Sequence, residues 1–148
     1  RFVRTHGVGL EALLDCRLAV EPMLARLAAA NRTAVEFADL EQIHAAFVAS
    51  VRNVATYKRV NLEWHLAVAR ASRNEPLTAV MEAISTPILD AARDRHVTTP
   101  EIRQTAVKAH TVIMRAIRDQ DAKAAFVGME RHISAYGEVA RAGGNGRG

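Results

Sequence analysis

His110 and His132 stand eleven positions either side of Asp121, and Asp121 reads as the turn between two amphipathic helices. In a hairpin of that form each histidine lies about 16 Å from the turn, at a rise of about 1.5 Å per residue. The two rings therefore reach the same level. Each also falls on the apolar stripe of its helix, so each should point inward. His65 joins them on a third inward-facing line, with Asn61 one turn before it on the same face. Three imidazoles and one carboxamide oxygen, drawn from three helices, form a candidate metal site of the kind that bundles build from facing helices. Imidazole-rich donors suit Zn, Ni, Cu or Fe(II), whereas Ca or Mg would call for mostly oxygen ligands.

These four donors are neutral, so a divalent cation among them would keep its full charge. In a low-dielectric interior that charge calls for an anion, and a small carboxylate is the natural candidate. Arg17 lies on the apolar side of the first helix, where an unpaired guanidinium is costly to bury. Aimed at the same cavity it would grip a carboxylate with two hydrogen bonds. It has two other outlets: snorkelling to the surface, or pairing with Glu21 one turn on. The histidines too have a plainer reading as satisfied core residues, and Asn61 could close a local hydrogen bond instead. His44 sits beside the stripe of the second helix and reads as structural or surface. His96 either lines a pocket mouth or sits at a solvated helix end. His6 falls in a linker, and Trp64 and Tyr136 read as core. A metal-bound water would need a general base for catalysis. Glu63 and Glu130 lie off the histidine faces, and no acidic residue clearly joins the cluster.

Six helices must position these groups. The first runs from about Leu10 to Ala30, with Leu13, Leu14, Arg17, Val20, Leu24 and Leu27 at helical spacing. Thr33 starts the second, and Glu36 completes a capping box; Leu40, Ile43, Phe47 and Val51 carry its apolar face. The third spans about Thr56 to Ser72. Asn74 caps the fourth, with Pro76 in its first turn; it continues to about Arg93, with a disturbance expected at Pro87. Thr99-Pro100 opens the fifth and Asp121 caps the sixth. Connections of a few residues between long helices imply antiparallel neighbours. The fold class is an all-α antiparallel bundle of six to seven helices.

At 148 residues the chain fits one domain with a single sizeable core. Its net charge of +4 is spread among acidic residues, with no basic stripe interleaved with aromatics to argue for nucleic-acid binding. Cys16 is the single cysteine, which excludes an intrachain disulfide framework and makes a reducing cytoplasmic setting the default. No apolar run approaches the about 18 residues a membrane span needs, and no secretion signal opens the sequence.

Four separated motifs, in one order and register, resemble a known family. Cys16-Arg17-Leu18-Ala19-Val20-Glu21-Pro22 followed by Ala28-Ala29-Ala30 is similar to the first helix of the FCD domain. That is the C-terminal effector-binding domain of FadR-type GntR transcriptional regulators. Asn61-Leu62-Glu63-Trp64-His65, then Ala69-Arg70-Ala71-Ser72-Arg73-Asn74, resembles the family's Asp-x-x-Phe-His segment and the Asn after it. His110, Ile113 and Ala116-Ile117, then Asp121, Ala124-Ala125, Met129 and His132, resemble its closing helix pair. The resemblance covers about Leu10 to Ala140. It implies that Asn61, His65, His110 and His132 bind a divalent metal, with Zn or Ni first and Mn or Fe next. It implies that Arg17 points into the ligand cavity and that the effector is a small organic acid: a sugar acid, hydroxy acid or dicarboxylate. Asn61 stands where the family has Asp, which keeps an oxygen but removes a negative charge.

The resemblance also implies a division of the chain. Arg1-Phe2-Val3-Arg4 looks like the last strand of a winged helix-turn-helix, so residues 1–9 read as wing remnant and linker. Residues 10–142 form the effector-binding and dimerisation domain, and residues 143–148 a flexible tail. The expected protein is a homodimeric cytoplasmic sensor and not an enzyme. It would reach operator DNA only through the missing N-terminal domain, with no membrane partner. The rival readings are a metalloenzyme acting on a hydroxy or keto acid, and a metal-free domain whose histidines bond a ligand directly.

Overall fold

The computed structural model describes residues 9–93 and 98–144. Arg1 to Arg4, His6 and His96 lie outside the described residues, and so do the expectations placed on them. Among the described residues the chain forms α1 (Leu10–Asn31), α2 (Ala34–Ala49), α3 (Val54–Ala71), α4 (Glu75–Arg93), α5 (Pro100–Arg118) and α6 (Ala122–Gly144). A single 3-10 turn, Ser50–Arg52, joins α2 to α3. The expected all-α bundle is the fold observed.

Local chemistry sets most boundaries. The Thr33 hydroxyl accepts from Glu36 N while the Glu36 carboxylate accepts from Thr33 N, the reciprocal box that starts α2. Asn74 Oδ1 accepts from Leu77 N and Asp121 Oδ1 from Ala124 N, which starts α4 and α6. Arg73 and Gln120 take positive φ just before those caps, at 57° and 55°, and so turn the chain out of α3 and α5. The third helix begins earlier than expected, because Asn53 Oδ1 caps it by accepting from Thr56 N. The helix α4 runs through Pro87 without a break. The residue one turn before it, Ala83, is exposed, so the carbonyl that loses its N–H partner lies on the wet side of the helix.

Contacts between helix ends fix the packing directions. Arg141 near the end of α6 grips Glu11 at the start of α1 with two hydrogen bonds of 2.8 Å, so α1 and α6 run antiparallel. Arg32, just past α1, donates to the carbonyls of Ile117 and Arg118 and so satisfies the free end of α5. Asn31 donates to Ser72 O at the end of α3. Thus α1, α3 and α5 end together, and α1 touches α3, α4, α5 and α6. The main core joins Ala25, Ala28, Leu40, Trp64, Val68, Ile113, Ile117, Ala125, Met129 and Ile133. At Gly128 a Cβ would lie 3.1 Å from Ile113 Cγ1, so α5 and α6 approach closely there, and a larger residue would require Ile113 to shift. That close approach lies about one helical turn from His110 and His132, on the side of the Asp121 turn.

Candidate metal centre

The α5–α6 hairpin brings the two closing histidines together as their spacing predicts: His110 Nε2 and His132 Nε2 are 3.0 Å apart. His65 from α3 completes the group. Its ring lies 5.1 Å from that of His110 and 5.4 Å from that of His132, centre to centre. One nitrogen from each of the three rings falls within 4.8 Å of the others. His110 is fully buried and His65 is 3% exposed. The His110 ring is sandwiched between Phe47 of α2 and Trp64 of α3, at 4.4 and 3.8 Å between ring centres. Both stacks hold it in place. Trp64 therefore does more than fill the core: it lies flat on one of the candidate ligands.

Burial, then the neighbouring imidazoles and Arg17, pushes His110 well below its ordinary pKa. Burial, then His65 and Arg17, pushes His132 down to about 3, against a smaller opposing pull from Glu21. Both rings are therefore neutral at physiological pH, the state in which an imidazole nitrogen can bind a metal.

Arg17 and Glu21 depart from the simplest expectation for the cavity. Arg17 is 4% exposed and Glu21 2% exposed. Arg17 Nε donates to Glu21 Oε1 at 2.5 Å, and the guanidinium carbon lies 5.2 Å from the centre of the Tyr136 ring. Of the outlets open to it, Arg17 takes the pairing one turn on. The other oxygen of Glu21 lies 2.5 Å from His65 Nδ1. An acidic residue does join the cluster, contrary to expectation. Burial alone would raise the Glu21 pKa, but Arg17 and then His65 hold it far below the usual carboxylate range. The signal was present in the sequence, since Glu21 shares the stripe of Arg17 at i, i+4. What sequence could not show is that α1 and α3 set it against His65.

Several polar atoms here make no hydrogen bond among the described residues: Asn61 Oδ1, both ring nitrogens of His65, Glu21 Oε2 despite its approach to His65, His110 Nδ1 and Trp64 Nε1. A buried unpaired group of this kind is uncommon and calls for an explanation. Asn61, one turn before His65 on the same helix, offers a buried and uncommitted oxygen. Two nitrogens each about 2.0–2.1 Å from one Zn-type ion sit roughly 3 Å apart or slightly more, the scale of the His110–His132 separation. The donor set thus fits a divalent ion in type and spacing. His44 stands aside: it is half-buried, with Nε2 3.3 Å from the Thr111 hydroxyl. Glu63 pairs with Arg70 at the surface.

Residues 12–135 match the FCD domain family. This chain belongs to the FCD domain family. The match takes in α1 through most of α6, and with it every residue of the cluster. Among solved structures, the fold is similar to "Streptococcus agalactiae GntR", with a TM-score of 0.74 and 24% identity over 88% of this chain and 57% of that one. It is also similar to "E. coli McbR/YncC", with a TM-score of 0.72 and 16% identity over 91% of this chain and 70% of that one. The chain thus spans little more than half the length of the first of these proteins. No curated protein matches the sequence. The FCD domain is the regulatory, effector-binding domain of GntR-family regulators, and no described helix is long and apolar enough to cross a membrane.

Proposed function

We propose that this FCD domain is the sensor of a FadR-type GntR regulator, and that it binds a small organic acid at a divalent metal held by His65, His110, His132 and Asn61. The observation that carries the reading is the meeting of three histidines from three helices, His65 and His110 buried and His132 partly buried, with His110 and His132 held neutral. An ion bound there would supply a Lewis-acidic anchor for a carboxylate. Zn or Ni suits the three imidazoles best, with Mn or Fe as the alternatives.

Charge balance supports an anionic effector. Arg17 and Glu21 cancel each other, and the four donors are neutral, so the two charges of the ion remain uncompensated in the interior. A sugar acid, hydroxy acid or dicarboxylate would supply the missing negative charge. Arg17 reaches such a ligand only by sharing its free guanidinium nitrogens or leaving Glu21. Either change, together with capture of the metal, would favour one arrangement of α1 against α3, α5 and α6. For the acid to act as a signal it must bind two arrangements with different affinity. We assign the output to two DNA-binding heads in a homodimer.

The alternative of a metalloenzyme acting on a hydroxy or keto acid has less support. Glu21 is hydrogen-bonded through one oxygen to Arg17 and faces His65 with the other at 2.5 Å, so the carboxylate at the cluster is turned to these two side chains and not to an open space where a general base would work. The test is a thermal-shift screen of organic acids, with and without chelator, on wild type and a His110→Ala/His132→Ala variant. The reading expects stabilisation by a subset of acids that chelator and the variant both abolish. Acid binding that survives both would replace it with the metal-free alternative. Turnover of a bound acid would replace it with the enzyme.

A further inference from the structure

The metal reading leaves Glu21 without a role, yet this is a fully charged carboxylate buried beside a candidate ligand. Burying an ion pair is a weak source of stability, since desolvation offsets most of the attraction. Its geometry points elsewhere. One oxygen is held by Arg17 Nε and the other faces His65 Nδ1, each at 2.5 Å. A carboxylate at Nδ1 fixes the imidazole tautomer: the proton stays on Nδ1 and the lone pair goes to Nε2. Neither ring nitrogen of His65 makes a well-aligned hydrogen bond, but Nδ1 has the carboxylate 2.5 Å away, which leaves Nε2 as the nitrogen open to an ion. Ligating histidines regularly rest on a carboxylate in this way, which orients the ring and raises its basicity.

We propose that Glu21 is the positioning carboxylate of the metal centre, holding His65 with Nε2 toward the ion, and that Arg17 is the clamp that aims Glu21. The inference rests on the metal reading above. It places a carboxylate directly behind the ligand His65, with its net charge balanced by Arg17. Position 61 supplies none, because Asn61 offers only a neutral oxygen. This arrangement also divides the roles on α1: Arg17 serves the metal through Glu21 before it serves any effector.

Trp64 provides the readout. It is the only tryptophan in the chain and stacks on His110 at 3.8 Å, so Ni(II) bound at the cluster should quench its fluorescence. Titration of wild-type protein with Ni(II) tests the underlying reading first. An absence of saturable quenching there would overturn the metal site and, with it, this proposal. Given wild-type binding, the deciding variant is Arg17→Met/Glu21→Gln, which removes both charges together and leaves no unpaired ion in the interior. The proposal expects it to melt in chelator like wild type but to bind Ni(II) about 10–100-fold more weakly. Wild-type affinity in the folded double variant would overturn it and make the pair merely structural. A second readout needs no variant. Nitrogen NMR of the Zn-loaded protein should show His65 protonated at Nδ1 and bound through Nε2; the opposite assignment would overturn the proposal.

Discussion

At Arg17 and Glu21 two opposite charges share the apolar stripe of α1, and their burial explains much of the behaviour expected of single residues here. Sequence revealed that they lie one turn apart, but a stripe has no partner until the helices pack. The contact with His65 was therefore invisible, while the level shared by His110 and His132 followed from counting along one hairpin. The titration of these groups makes a prediction. His132 falls from an ordinary 6.5 to about 3 in the folded protein, and His110 falls in the same direction. Between those values the unfolded chain binds protons that the native core refuses, so lowering the pH favours unfolding. Glu21, also depressed, adds to the loss in the carboxylate range. Melting of metal-free protein should thus be steady above about pH 6.5 and fall progressively below it. In a His110→Ala/His132→Ala variant the slope between pH 6.5 and 4.5 should flatten; an unchanged slope would mean these rings are not held neutral.

The helices were largely legible because their signals are local. Thr33 with Glu36, Asn74, Thr99-Pro100 and Asp121 each announce a start through side-chain chemistry that needs no tertiary context. The Asn53 cap was missed because the apolar periodicity of α3 begins later than its hydrogen bonding. The 3-10 turn after α2 was missed for a related reason: Ser50 bonds back to Phe47 O, and Arg103 of α5 donates to Val51 O at 2.6 Å. That last partner lies 52 residues away, about a third of the chain. Two predictions belong to this scale. Thr33→Ala removes one half of the capping box and should cost about 1 kcal/mol in denaturant unfolding, with little change in metal binding. Ile117→Ala opens the fully buried core where α5 meets its neighbours and should cost about 2–5 kcal/mol. A cost below about 1 kcal/mol at Ile117 would mean that the core there collapses to fill the gap.

For the whole molecule, a buried centre ties ligand binding to the stability of the bundle. α1, α3, α5 and α6 each contribute a group to the cluster, so whatever bridges those groups fastens four helices at once. A ligand present at 100 times its dissociation constant stabilises the native state by about 2.7 kcal/mol. In a domain of this size that raises the melting temperature by roughly 5–10 °C. Metal should give a rise of this order by calorimetry, chelator should reverse it, and an effector acid should add to it only when metal is present. A rise with acid alone would place the acid elsewhere in the fold.

The most direct test of the metal centre is elemental analysis of protein purified without a histidine tag, paired with the His110→Ala/His132→Ala variant. The account predicts about one transition-metal ion per chain, Zn or Ni foremost, and essentially none in the folded variant. Wild-type protein that stays metal-free after exposure to Zn and Ni, or a variant that retains its full complement of metal, would contradict it.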